Sequence, residues 1–291
     1  MTLPRWLGVC ALLLVAACGR EPTPPPTQGG PALWRVQREG LDGWLLGTIH
    51  VLPKGTGWQT GTILRTLTDA DRLVLESAEV QDQARTMALF EKMGRSSGLP
   101  PLEARVPAGD REALKAIAGE GGGVQALSGY ESWAAAMLLS AAAQQSLHVS
   151  ADEGVEPVLI EAFRDAGKPI GGLETVARQF GAFDRLPEPA QRKLLAQTVH
   201  EAGQMKTLYD RIVQAWLKGD MAAIAREDQA GEQPDRQVEQ AVLIDRNRDW
   251  TAAVDKLRGR PLIAVGAGHL TGRDNLIQLL EAKGYTVTRV Q

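Results

Sequence analysis

The sequence is poor in cysteine and in runs of positive charge, and each of these shortages excludes a class of protein. Its 291 residues include two cysteines and four histidines, and the formal net charge is −3. Cys10 and Cys18 both lie near the N-terminus, so a disulfide framework in the rest of the chain is excluded. Because no basic run occurs, we expect no nucleic-acid partner.

Long apolar runs are also scarce, and the one at the N-terminus predicts export. Arg5 precedes an apolar stretch over residues 6–15, and two small residues, Ala16 and Ala17, follow it. This stretch is shorter than the roughly 20 residues of a membrane-spanning helix. The sequence Val-Ala-Ala-Cys that ends at Cys18 resembles the lipobox of bacterial lipoproteins. The alternative is an ordinary signal peptide with an incidental cysteine.

These features divide the chain into three parts. We predict a signal peptide over residues 1–17, a lipidated Cys18 with a proline-rich tether over residues 18–31, and one domain over residues 32–291. Acyl chains on Cys18 would anchor the protein to a membrane. Gly19 follows the cysteine where an aspartate would indicate the inner membrane, and this resemblance to lipoprotein sorting signals favours the outer membrane, facing the periplasm.

Alternating strand-like and helix-like segments indicate the fold class. We predict an α/β (α+β) fold with a central mixed, partly parallel sheet flanked by helices. A large helical insertion, over residues 81–203 and again over 204–258, should separate the N-terminal and C-terminal strand blocks. The predicted strands cover residues 33–37, 43–47, 72–76, 169–174, 261–265 and 285–290.

A polar side chain follows each of four apolar strands. His50, Glu76, Glu174 and His269 stand at these positions. The carboxyl ends of parallel strands share one edge of a sheet, and ligands bind in the crevice there. Each side chain also has a simpler interpretation, because a histidine can bond within a turn and a glutamate can cap the next helix. Two of only four histidines occupy the same Gly-x-x-His frame, and this pairing favours a shared site.

Two histidines and a carboxylate with one open position form a common catalytic metal arrangement. A bound divalent ion would generate hydroxide from water, and a second carboxylate would accept a proton. Gly47 and Gly266 precede the two histidines by three residues, and we predict that their missing side chains let substrate or metal approach closely. Arg246 and Asn247 either form part of a solvated helix face or reach the site, where Arg246 would steady an oxyanion.

Several of these segments resemble one protein family. The sequence LWRV from Leu33, followed by GWLLGTIH ending at His50, is similar to the opening of the TraB/GumN family, which includes PrgY-like proteins and TIKI proteases. The sequence VGAGHLTG around His269, the strand block that follows it, Leu-Glu-Thr around Glu174 and Arg246-Asn247 resemble later motifs of that family. One departure is Glu156, in Gly-Val-Glu, where the family often has Gly-x-Asp.

The resemblance implies a metal-dependent hydrolase of the bacterial envelope, a peptidase acting on a peptide or protein substrate. His50, Glu76 and His269 would be the metal ligands, with manganese or cobalt favoured over zinc. Glu76, Glu174 and Arg246 would be catalytic, while Gly47, Gly266 and Asn247 would contact substrate. Two alternatives remain open: a lipoprotein that binds a peptide, a metal or haem without turnover, and a metal-free hydrolase resembling the erythromycin esterases. The sequence carries no signature of oligomeric state.

Overall fold

The computed structural model describes residues 29–119, 123–145, 147, 149–230 and 235–291. The predicted signal peptide, Cys18 and most of the tether lie outside these residues, so those predictions stay open. In the described part of the chain, no helix combines the length and apolar character that crossing a bilayer requires.

A six-stranded mixed sheet forms the centre of the molecule, and a short two-stranded sheet lies beside it. In chain order the strands are β1 (Leu33–Arg38), β2 (Leu41–Thr48), β3 (Leu52–Pro53), β4 (Arg72–Leu75), β5 (Val149–Ser150), β6 (Ile170–Gly172), β7 (Pro261–Gly266) and β8 (Thr286–Arg289). The large sheet has the order β6-β4-β7-β2-β1-β8, and β3 pairs with β5.

The direction of the strands confirms the predicted mixed sheet. Neighbours among β6, β4, β7 and β2 are parallel, whereas β1 runs antiparallel to both β2 and β8. β1 and β2 form an N-terminal hairpin, and its turn uses Gly40 at a φ of 80°. β7 is buried over five of its six residues, as expected for a parallel strand covered by helices on both faces.

Helices fill the predicted insertion and cover the sheet. They are α1 (Gly61–Asp69), α2 (Gln83–Gly94), α3 (Arg111–Ala118), α4 (Gly123–Leu127), α5 (Ser132–Gln145), α6 (Val155–Asp165), α7 (Val176–Asp184), α8 (Glu188–Glu201), α9 (Met205–Leu217), α10 (Met221–Ala230), α11 (Arg236–Glu239), α12 (Asp245–Val254) and α13 (Leu276–Ala282). A π-helical turn, Gln240–Ile244, joins α11 to α12. Such turns occur frequently at functional sites.

Two hydrophobic clusters hold these layers together. One surrounds the sheet and contains Trp216 and Trp250, while the other lies within the helical insertion and contains Trp133. All three tryptophans are fully buried. The first cluster fixes the strands whose carboxyl ends carry the predicted site, so the geometry of that site depends on a packed core rather than on exposed loops.

Candidate functional site

Three predicted site residues converge on Gly266, the last residue of β7. A Cβ atom placed on Gly266 would lie 3.2 Å from Glu76 Oε1, 3.5 Å from His50 Nε2 and 3.9 Å from His269 Cδ2. The backbone N–H of Gly266 also donates to Glu76 Oε1 at 2.8 Å. The residue without a side chain therefore leaves a small space that two imidazoles and one carboxylate face.

Glu156 holds the first imidazole in place. Its Oε1 lies 2.9 Å from His50 Nδ1 and also accepts the Thr48 hydroxyl. Glu156 lies in the first turn of α6. Gly154, just before this turn, lets the backbone approach the strand end closely, since a Cβ atom on Gly154 would lie 2.0 Å from the His50 carbonyl oxygen. This arrangement leaves His50 Nε2 directed toward Gly266.

The acidic neighbours determine the charge of His50. Burial lowers the pKa of His50, but the Glu156 carboxylate and the Glu76 carboxylate outweigh it and raise that pKa to about 9. Burial likewise works to raise the pKa of Glu156, and the His50 imidazole lowers it overall. The two side chains therefore form a charged pair at neutral pH, with a proton on each nitrogen of His50.

Arg246 connects the two glutamates at the strand ends. This buried side chain places Nη2 at 2.9 Å from Glu76 Oε2, and it holds Glu174 Oε1 through Nε at 2.9 Å and Nη2 at 2.6 Å. Its Nη1 donates to the Val242 carbonyl at 3.1 Å and lies 3.3 Å from His269 Nε2. These contacts account for all five guanidinium N–H groups. Arg246 therefore fixes both carboxylates, and an oxyanion role would require one contact to be exchanged.

The pKa values of the two carboxyl groups that Arg246 contacts are shifted in opposite directions. Although burial raises the pKa of Glu76, Arg246 and the two histidines lower it to about 2. Burial is the stronger influence at Glu174 and raises its pKa, against the lowering effects of Arg246 and the Trp250 indole. Glu76 is therefore held ionised in the centre of the cluster.

Asn247 fixes the second imidazole. Asn247 Oδ1 lies 2.7 Å from His269 Nδ1, and the orientation of the amide is set by its Nδ2 donating to the Asp274 carbonyl at 3.1 Å. Nδ1 of His269 must then carry the proton, which leaves Nε2 as an acceptor. Burial and Arg246 lower the pKa of His269 to about 3 despite Glu76, so the ring is neutral. Trp250 packs against it at a centroid distance of 4.2 Å.

Helix capping, the simpler interpretation of the glutamates, is carried out by their neighbours. Ser77 accepts the Glu79 N–H at the start of the turn after β4, and Thr175 accepts the Arg178 N–H at the start of α7. Glu76 and Glu174 are free to face Arg246 instead.

Gly47 lies farther back in the core. Its carbonyl accepts the Trp216 indole N–H, and substrate contact at Gly47 remains a prediction.

Sequence reasoning did not identify Gln179 and noted Glu156 only as a departure from a family motif. Gln179 is buried on α7 and directs Nε2 toward Glu76 Oε2 at 3.4 Å. The helical period places Val176, Gln179 and Phe180 on one face, and all three are buried. Once Glu174, just before α7, is assigned to the site, this helical period indicates that Gln179 lies on the buried face of the helix that follows it.

A cavity of about 380 Å³ adjoins the cluster on the side of β4, α6 and α7. Its lining contains His50, Glu76 and Glu156, other charged side chains such as Arg164, and apolar side chains such as Phe180. This volume lies at the lower end of the range for ligand pockets, roughly 300–1,000 Å³. The polar cluster is therefore accessible to a small ligand or to one part of a larger ligand.

The donor atoms suit a divalent cation, although they do not yet enclose one. His50 Nε2 and Glu76 Oε1 face the same space beside Gly266, and an imidazole of His269 borders it. Nε2 of His269 is turned toward Arg246, and among the described residues no three histidine, cysteine, aspartate or glutamate side chains already surround one point closely enough to hold an ion. Binding would require His269 to exchange its contact with Arg246.

Comparison with known proteins places the chain in a family. The TraB/PrgY/gumN family model matches residues 32–289. The chain is also similar to the uncharacterized protein YbaP of Escherichia coli (strain K12) and to that of Shigella flexneri, each 29% identical over 242 residues, or 81% of this chain and 86% of the relative. No solved structure matches the chain. Because the family model covers nearly all the described residues, the chain belongs to the TraB/PrgY/gumN family.

Proposed function

We propose that this protein is a metal-dependent hydrolase that cleaves peptide bonds in the bacterial envelope. The observation that supports this proposal is the convergence of His50, Glu76 and His269 on Gly266, next to a cavity open to a ligand. Two imidazoles, each able to bind a metal in its neutral form, and an ionised carboxylate lie at the carboxyl ends of parallel strands. This set of groups is chemically suited to activating water. Family membership is compatible with this activity.

His50, Glu76 and His269 would hold a divalent cation, manganese or cobalt rather than zinc. When bound, such an ion supplies a Lewis acid and lowers the pKa of its water to about 7. His50 must release its Nε2 proton for this purpose, because a metal ligand is a neutral imidazole. Glu156 and Asn247 act on the far nitrogens of the two rings, and they orient the rings in the way that outer carboxylates and amides orient metal-binding histidines.

The remaining polar residues have supporting roles. Arg246 keeps Glu76 ionised and fixed, because its guanidinium bonds Glu76 and Glu174 together. The pKa of Glu174 is raised by burial, whereas that of Glu76 is lowered to about 2, so Glu174 would take up a proton more readily than Glu76. We therefore assign Glu76 to the water-binding side of the site and Glu174 to proton transfer or to holding Arg246.

The activity can be tested with purified full-length protein and a peptide library analysed by mass spectrometry. We expect cleavage that depends on added Mn²⁺ or Co²⁺ and that disappears in His50→Ala and His269→Ala. His200→Ala is a matched control, because His200 lies exposed on α8. Undiminished cleavage by the two site variants would refute the proposal. Peptide binding without cleavage would favour the binding-protein alternative.

A metal-free hydrolase is the second candidate, and one observation favours it. The guanidinium of Arg246 already provides a positive charge among Glu76, Glu174 and His269. A histidine and a carboxylate could then activate water directly by general base catalysis. Exhaustive chelation separates the two candidates, because full activity after removal of metal would favour the second.

We further propose that the protein is exported and held by lipid on Cys18 to the outer membrane, facing the periplasm. The lipobox resemblance and the tether composition support this location. Labelled palmitate should enter the wild-type chain and not Cys18→Ser, and membrane fractionation should recover the protein with outer-membrane markers. Labelling of Cys18→Ser equal to wild type would refute lipidation at this position.

A further inference from the structure

The cavity beside the polar cluster follows one face of α6. Five residues of this helix line it at the spacing of a single helical face: Glu156, Pro157, Ile160, Glu161 and Arg164. Glu156 contacts His50 at the near end of the cavity, where the polar cluster lies. Arg164 comes eight residues later, and at 1.5 Å per residue its backbone lies about 12 Å farther along the helix axis. The cavity therefore has a near end at His50 and a far end at Arg164.

The guanidinium of Arg164 uses few of its donors within the protein. Its Nη2 donates to Gln81 Oε1 at 2.9 Å, and Gln81 Nε2 donates in turn to the Ala78 carbonyl at 3.2 Å. Gln81 lines the cavity as well. Among the described residues, the Arg164 side chain forms no other hydrogen bond and no ion pair. Because a guanidinium has five N–H groups, most of those on Arg164 are open to a ligand or to water.

The charges of the lining make the far end the preferred place for an anion. Four acidic side chains line the cavity: Glu76, Asp152, Glu156 and Glu161. Two cations line it as well, and His50 is already paired with Glu156, whereas Arg164 has no carboxylate partner among the described residues. A carboxylate beside the acidic groups would be repelled. The guanidinium is a planar fork that matches the two oxygens of a carboxylate, so the far end suits a carboxylate.

We propose that Arg164 binds a carboxylate of the substrate peptide that lies about three or four residues from the bond that is cleaved. This inference rests on the proposed peptide-bond hydrolysis and adds a substrate class and a cleavage position. An extended peptide spans at most about 3.3–3.6 Å per residue, so about three or four residues cover the roughly 12 Å between the two ends. The carboxylate is either the free C-terminus of a short peptide or the side chain of an acidic residue, and both sources present the same chemistry.

The test uses three short peptides and measures binding separately from cleavage. The first is acetyl-Ala-Ala-Leu-Ala-Ala-Gly with a free C-terminal carboxyl group, the second is its C-terminal amide, and the third is that amide with aspartate in place of glycine. Binding to full-length protein is measured by calorimetry without added metal, and cleavage is measured with added Mn²⁺. We expect the wild type to bind the free acid about three- to tenfold more tightly than the amide, between the effect of an exposed ion pair and that of a buried charged hydrogen bond.

The variant Arg164→Gln removes the charge and keeps a polar side chain at the far end. It should bind the free acid and the amide equally, and as weakly as the wild type binds the amide. Arg164→Lys keeps a charge without the planar fork and should retain part of the preference. Glu161→Gln should increase the preference, because it removes a negative charge from the same face of α6. Arg85→Gln, exposed on α2 and outside the lining, is the matched control for the loss of one charge.

The position of cleavage gives a second readout. Peptides with a free C-terminus that are lengthened by alanines at the N-terminal end should all release a C-terminal product of the same length, about three or four residues. The reason is that Arg164 fixes the distance between the C-terminus and the cleaved bond. Arg164→Gln should cleave the same peptides at scattered positions. A merely structural role of Arg164 would change the rate and leave the cleaved position the same.

The outcomes distinguish this inference from the proposed function. Equal binding of the free acid and the amide by the wild type, or an equal preference in Arg164→Gln and the wild type, would overturn the inference even if the peptides are cleaved. The absence of binding by all three peptides would also overturn it. A preference that depends on Arg164, without cleavage, would support the inference and refute peptide hydrolysis.

The aspartate peptide identifies the source of the carboxylate once the wild type prefers the free acid. Binding of this peptide as tight as that of the free acid would support recognition of an acidic side chain. Binding as weak as that of the plain amide would support recognition of the C-terminus alone. In both cases the preference should disappear in Arg164→Gln, and a preference that persists there would contradict the assignment to this residue.

Discussion

The substitution Gly266→Ala should remove function while leaving the fold intact. Gly266 has a φ of −51° and a ψ of 135°, a conformation that alanine adopts without strain. The added methyl group would lie 3.2 Å from Glu76 Oε1, so this carboxylate must move by a few tenths of an ångström. It would also occupy the space that His50 Nε2 and His269 face.

Two opposing effects determine the stability of this variant. Replacing glycine by alanine at a compatible position stabilises a protein by about 0.4–1 kcal/mol through the unfolded chain. Moving Glu76 weakens its 2.8 Å bond to the Gly266 N–H, and a hydrogen bond to a charged group contributes about 1.5–3 kcal/mol. Because the bond is stretched rather than lost, we expect the free energy of unfolding to change by about 1 kcal/mol or less, as measured by urea denaturation.

The effect on the reaction should be much larger. A misplacement of catalytic groups by about 1 Å can reduce a rate by about 100-fold, and here the added methyl group also excludes ligand from the site. We expect kcat/KM for the best library peptide to fall by about 100-fold or more. Gly268→Ala is the matched control, because no described atom outside its chain neighbours and its own helical turn lies within 4 Å of the added Cβ. Similar activities for the two variants would refute convergence on Gly266.

Three other substitutions test the supports of the site. Arg246→Met leaves two buried carboxylates without their cation, and urea denaturation should show a loss of about 3–5 kcal/mol. Asn247→Leu releases His269 Nδ1, so kcat/KM should fall by about 10- to 100-fold. Gly154→Ala places a methyl group 2.0 Å from the His50 carbonyl oxygen. Urea denaturation should therefore show a free energy of unfolding lower by about 1–3 kcal/mol.

The substitutions of Arg246 and Gly154 each have a matched control in the same chain. Arg178→Met breaks the exposed ion pair with Asp249 and should lower the free energy of unfolding by about 0–1 kcal/mol. Gly57→Ala adds a methyl group where no described atom outside its chain neighbours lies within 4 Å, so it should leave the free energy of unfolding nearly unchanged. Equal losses for Arg246→Met and Arg178→Met would contradict the buried triad. Equal losses for Gly154→Ala and Gly57→Ala would contradict the close approach to His50.

The sheet and the strand-end residues could be predicted because they depend on local pattern. Apolar runs such as residues 261–265 are typical of strands covered on both faces, and parallel neighbours must bring their carboxyl ends to one edge. The predicted strand over residues 169–174 is shorter in the structure, because the chain leaves the sheet after Gly172. The N–H groups of Leu173 and Glu174 then donate to the Glu76 carbonyl.

Contacts made by the helices could not be predicted in the same way. Periodicity identifies the buried face of α6, α7 and α12, but it does not show how far each helix is displaced along the sheet. The bond between Glu156 and His50 depends on that displacement, as do the contacts of Arg246 with Glu76 and Glu174. The two-residue strands β3 and β5 are too short to give any period.

The proposed metal site can be located by anomalous diffraction from a crystal of the full-length protein soaked with Co²⁺. We expect one strong anomalous peak beside Gly266, within bonding distance of His50 Nε2 and Glu76, with His269 turned away from Arg246 toward the ion. A peak at another position, or no peak after a soak that saturates binding in solution, would contradict it.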